Sequence, residues 1–175
     1  MTAQTSTATP LYSAASAADT SKTYEEGIVA GLIGAATIAA WFLVLDAIQG
    51  HPLYTPTVLG TALFGDREAL AAPAGIAPSL EMALMFTWVH ALAFAILGGV
   101  AARLIALAER DPNYGFGILL LFVVFEFGFV IVAMGFAEGL LRALTWPAIL
   151  VGNLLAAGTM AGYFSHRHPH LTIRP

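Results

Sequence analysis

The chain has 175 residues, 58% of them hydrophobic and 10% charged, with a formal net charge of −4 and no cysteine. A soluble domain carries about 25% charged residues, so this composition, with its mean hydropathy of +0.79, indicates an integral membrane protein. The seven Lys and Arg residues are scattered and form no nucleic-acid patch, and the lack of Cys excludes disulfides, thiolate metal sites and thiol catalysis.

Residues 1–24 are rich in Ala, Ser and Thr and lack a basic stretch followed by an apolar one, which argues against a cleavable secretory signal. They read as a disordered tail, with ordering against a partner subunit as the alternative. A transmembrane domain is expected over 25–165 and a short cytoplasmic tail over 166–175.

A bilayer core about 30 Å thick needs roughly 20 apolar residues of helix. Four runs qualify: 27–48, 82–107, 114–137 and 144–164. The expected fold is an all-α transmembrane four-helix bundle with antiparallel neighbours. Thr23-Tyr24-Glu25-Glu26 fits a capping box, and Ser79 with Glu81 suits the start of the second helix. Asp111-Pro112 opens the third helix, and Thr145-Trp146-Pro147 opens the fourth. Residues 49–78 are expected as a long outer loop, with a short interfacial helix beginning at Thr55-Pro56 and ending near Gly65. Lys22, Arg103, Arg110, Arg167 and Arg174 fall on the side of both termini, and Arg67 and Arg142 on the other. The termini are therefore expected in the cytoplasm, with the protein in the inner membrane.

Small residues mark helix-packing faces: Gly27, Gly31 and Gly34 on the first helix, and Gly158 and Gly162 on the fourth. Such stripes let membrane helices approach closely, within one molecule or between subunits.

The third run carries Glu126 at its middle. A carboxylate there costs roughly 2.5–3.5 kcal/mol unless it is protonated or paired, so it is expected to face protein. Counting down from the outer helix ends, Glu126 lies about 17 Å deep and His90 and Asn153 about 13–14 Å deep. Thr87 shares the face of His90, and Asp46 sits nearer the outer end, within reach of His51 or Glu138. The candidate polar centre is therefore His90, Glu126, Asn153, Thr87 and Asp46. It reads in three ways: a device that fixes helix register, a site for protons or ions, or a site for metal, haem or quinone. His90 and Glu126 are weak metal candidates, and the cofactor is unknown. A lone deep histidine does not supply a bis-histidine haem site, and no E-x-x-H pair marks a di-iron bundle. His166, His168 and His170 form an H-x-H-x-H tail, read as a basic interfacial stop or a weak metal binder.

No catalytic residue is assigned. The sequence shows no G-x-S-x-G, Walker A or H-E-x-x-H, which leans away from an enzyme. G-H-P-L-Y-T-P-T-V-L-G after the first span, with the order of elements from about Tyr24 onward, resembles small bacterial four-span membrane proteins that carry no assigned activity. The expected role is a non-enzymatic, accessory subunit of a larger membrane assembly. Its partners would be the lipid bilayer and other membrane subunits or a second copy, with no nucleic acid. A proton-, metal- or cofactor-handling centre is the alternative.

Overall fold

The computed structural model describes residues 8–65, 67–72, 75–111, 115–116 and 146–168, with the side chains of 8–19, 67 and 110 outside that description. Among the described residues all regular structure is helical: α1 (Ala8–Ile48), α2 (Tyr54–Phe64), a 3-10 helix (Arg67–Ala71), α3 (Leu80–Arg110) and α4 (Trp146–Arg167). Three segments, Thr20–Ile48, Leu80–Glu109 and Trp146–Arg167, are long and apolar enough to cross a membrane. Even the 22 residues of α4 rise about 33 Å, against a bilayer core of about 30 Å. The 11 residues of α2 do not reach across. Large apolar side chains point outward along the spans, among them Leu32, Val44, Leu84, Leu92, Ile96 and Leu154. Lipid tails are as apolar as these side chains and leave them no reason to hide.

The central element is α1, which packs on both α3 and α4. Where α1 crosses α3, glycines bring the two backbones together. A Cβ added to Gly27 would stand 2.5 Å from the Gly98 carbonyl oxygen, and one added to Gly98 would stand 2.7 Å from the Gly31 nitrogen. The α1–α4 seam is held differently. Trp41 Nε1 donates to the Ala148 carbonyl at 2.9 Å, its ring lies against Gly152, and the Thr37 and Thr159 hydroxyls meet at 3.2 Å. Both seams are antiparallel, because the ion pairs between Glu26, Arg167, His168 and Glu109 gather the early part of α1 with the ends of α3 and α4.

The long outer loop expected between the first two helices is overturned. The connection after α1 is short, residues 49–53, and the chain is helical again from Tyr54. Gly50 and Leu53 take left-handed backbone angles that turn it sharply, and the Asp46 carboxylate does the rest. Asp46 accepts from the Thr55 backbone N–H at 2.8 Å and from the Thr55 hydroxyl at 2.7 Å, so a residue of α1 caps α2. The first turn and the middle of α2 are pinned to the start of α3. Thr57 donates its hydroxyl to the Ser79 carbonyl (3.2 Å) and accepts the Ser79 N–H (3.0 Å), while Gly60 rests on the Met82 backbone.

Ser79 caps α3 by accepting from the Met82 N–H at 3.3 Å. Thr23–Glu26, read above as a capping box, lies inside α1, where Glu26 turns to Arg167 and His168 instead. The expected span 114–137, apart from 115–116, lies outside the described residues, as do Glu138, Arg142 and the H-x-H-x-H tail beyond His168.

Candidate polar sites

His90 occupies the membrane-spanning part of α3. Its ring lies between Phe86, one turn earlier, at 5.4 Å between centroids and Phe94, one turn later, at 4.7 Å. The i±4 spacing on one helix produces this sandwich without help from another element. Against α1 the ring meets the Ala35 backbone carbonyl. Its Nε2 is buried with no hydrogen-bond partner among the described residues. A buried polar atom left in that state costs about 1–3 kcal/mol, which sets Nε2 apart from the other buried side-chain polar atoms described.

The other proposed members of the centre are distributed. Thr87 donates to the Ala83 carbonyl of its own helix at 2.7 Å. Asp46 is 3% exposed and its carboxylate is bonded to Thr55 through both oxygens. It stands 11 positions further along α1 than Ala35, about 16 Å away along the axis. Asn153 is half-buried on α4 beside Gly152 and makes a polar interaction there. Glu126 lies outside the described residues. Among those described, no three His, Asp or Glu side chains gather to hold a metal ion.

The packing glycines also divide. Gly27 and Gly31 meet the α3 backbone, and an added Cβ at Gly34 would press on Met160 Sδ at 2.7 Å. Gly158 and Gly162 have no described atom within 4 Å of an added Cβ.

Outside the span, the phenol of Tyr54 is pushed above its ordinary value, first by burial and then by the nearby Asp46 carboxylate.

A second polar site was missed in the sequence. His168, just past the end of α4, lies between two carboxylates: Nδ1 is 2.9 Å from Glu109 Oε1 on α3, and Nε2 is 3.1 Å from Glu26 Oε2 on α1. Arg167 adds a 3.1 Å ion pair to the other oxygen of Glu26. All four side chains are partly exposed. The available signal was that Glu26, Glu109 and His168 fall at the same end of three antiparallel apolar runs.

Comparison with known proteins returns no matching family model, no matching curated protein and no matching solved structure. The resemblance to small bacterial membrane proteins therefore extends only to the general type. Fold and surface together establish a small, helical, multi-span protein embedded in the lipid bilayer.

Proposed function

We propose that this is a proton-handling membrane protein whose working group is His90, with Glu126 and Asn153 as its partners. The observation that carries this reading is the buried, unpartnered Nε2 of His90. With Nδ1–H donated to the Ala35 carbonyl, a neutral ring presents Nε2 as a lone-pair acceptor. The group that satisfies it must donate a proton. A carboxyl group at membrane depth is least costly when protonated, so Glu126 at a similar depth has the complementary state. The Asn153 amide is a second donor at that level. A proton shared between Glu126 and His90 would be held away from lipid by Phe86 and Phe94.

The proposed setting is the inner membrane with cytoplasmic termini, supported by the five Lys and Arg residues on that side against two on the other. The test is proton flux into liposomes carrying the purified protein, read with an internal pH-sensitive dye. His90→Phe and Glu126→Gln should each abolish flux while the protein still inserts and folds. Unchanged flux in both variants would end the proposal. An optical spectrum and metal analysis belong in the same preparation, because an unprotonated Nε2 also suits a metal or haem iron. A stoichiometric metal or a Soret band would move the reading from protons to a cofactor.

A second reading, an accessory subunit of a membrane assembly, is favoured by the Gly158 and Gly162 face of α4, which meets no atom of the described residues within 4 Å of an added Cβ. It predicts that mild detergent extraction brings down a partner or a second copy, and that Gly158→Leu releases it.

A further inference from the structure

His168 joins three helices through one ring, and the protonation state of that ring decides how many of them it can hold. Both contacts are hydrogen bonds to carboxylate oxygens, at 2.9 Å from Nδ1 and 3.1 Å from Nε2. A carboxylate can only accept, so both bonds exist together only when both ring nitrogens carry protons. A neutral ring keeps one N–H and turns a lone pair toward the other carboxylate. The charged groups within hydrogen-bond or ion-pair reach, among the described residues, are Glu26 on α1, Glu109 on α3 and Arg167 on α4 itself. The arrangement does not suit a single metal ion, because the carboxylates sit on opposite nitrogens and a metal binds one nitrogen at a time.

The two carboxylates are not equivalent. Glu26 also has Arg167 at 3.1 Å, whereas the ring contact to Glu109 is the shorter of the two. When the ring loses a proton, Glu26 can rely on the guanidinium, so Nε2 is the nitrogen that gives its proton up.

We propose that His168 is a pH-operated clasp: protonated, it ties the end of α4 to both α1 and α3, and deprotonated, it keeps α3 and leaves the tie to α1 at this end to the Arg167–Glu26 ion pair. The clasp lies at the opposite end of α3 from the membrane face where α2 packs, 19 positions beyond His90, or about 28 Å along the helix. It stands independently of the reading of His90. Its consequence is a bundle whose end near the chain termini loosens as the adjoining solution becomes alkaline.

The chain contains no cysteine, so labels can be placed without removing any native residue. Ser21→Cys with Ser165→Cys spans the α1–α4 end, and Ala108→Cys with Ser165→Cys spans the α3–α4 end. Spin-label distances would be measured in nanodiscs at about pH 5 and about pH 9, bracketing the ordinary imidazole value. With Arg167 as the remaining tie, the 21–165 distance distribution should broaden toward longer distances at the higher pH and the 108–165 distribution should not. Glu26→Gln should keep the 21–165 distance short at both pH values, because the amide can donate to the bare Nε2. A merely structural pair would be weakened by that change instead. A pH-independent 21–165 distance in the parent protein, or a Glu26→Gln variant that opens as the parent does, overturns the clasp. Should Glu26→Gln fail to fold, ring nitrogen NMR of the parent protein decides. Two protonated nitrogens at low pH and an Nδ1–H tautomer at high pH support the clasp, and an Nε2–H tautomer or no change refutes it.

Discussion

Replacing Gly98 with alanine tests whether the α1–α3 seam depends on backbone contact. An added Cβ would stand 2.7 Å from the Gly31 nitrogen and 2.8 Å from its Cα, whereas ordinary contact begins at 3.4 Å. The obstructing atoms, with the Gly27 carbonyl oxygen closest of all, are backbone, so no side chain can swing aside, and the helices must separate by more than about 0.7 Å locally. A radial gap of 0.5–1 Å gives up about a quarter to a half of each dispersion contact along the seam. Overpacking of this kind costs about 1–3 kcal/mol, offset in part by the better helix propensity of alanine, worth up to about 1 kcal/mol in water. Gly158→Ala carries the same propensity change with nothing described within 4 Å, and so is the internal reference. For a chain of this length a difference of 2 kcal/mol corresponds to about 4–8 °C in Tm. Thermal unfolding of both variants in the same detergent should show Gly98→Ala melting lower by that margin. Equal melting temperatures would show that the close crossing contributes nothing measurable, and the account of the seam would be wrong.

Three further outcomes follow from the end of the bundle where α2 packs. Asp46→Ala leaves the Thr55 N–H and hydroxyl without their carboxylate and should cost about 2–3 kcal/mol in denaturation, while Asp46→Asn, which keeps an acceptor, should cost about half as much. Thr57→Val preserves shape but orphans both backbone groups of Ser79, and a loss of about 2 kcal/mol should appear in the same assay. The raised Tyr54 pKa means that the folded state holds the phenolic proton more tightly than the unfolded chain. Its contribution is therefore complete below the unfolded value near 10 and declines as pH rises through the folded value. Ultraviolet titration should find Tyr54 ionising late, and Asp46→Asn should bring it earlier; no difference between the two proteins would remove Asp46 as a cause.

The apolar runs at 27–48, 82–107 and 144–164 were legible because membrane length and composition leave a strong mark: the first two fall within α1 and α3, and the third, from Trp146 on, within α4. The cap at Ser79 was legible for the same local reason. The short helix from Thr55 to near Gly65 was legible, but the tight turn before it was misread as part of a long loop because its organiser, Asp46, lies nine residues before the group it caps. Pattern reading assigns polar residues to the nearest helix end and so does not look across a turn. Gly98 escaped attention because it gains meaning only opposite Gly27 and Gly31. His168 was read as part of a polar tail because its two partners are 59 and 142 residues away in sequence.

The polar groups of the described bundle sort by what already satisfies them, and that sorting separates architecture from function. Asp46, Thr57 and Ser79 are engaged in holding α2 against its neighbours, so changing them should lower stability whatever the protein does. Thr87 is bonded within its own turn, and Trp41 binds a carbonyl across the α1–α4 seam. His90 is different, since its Nε2 contributes nothing to holding the described helices together. Truncating an architectural group leaves a described partner orphaned, while His90→Phe preserves the aromatic stack and breaks, at Nε2, only the proposed bond to Glu126. His90→Phe should therefore lower stability by no more than one such bond within a membrane bundle, about 0.6 kcal/mol and at most about 1.7 kcal/mol. A larger fall would mean that His90 serves helix register instead of proton transfer. A small change in Tm together with lost flux is the pair of results that a working histidine produces.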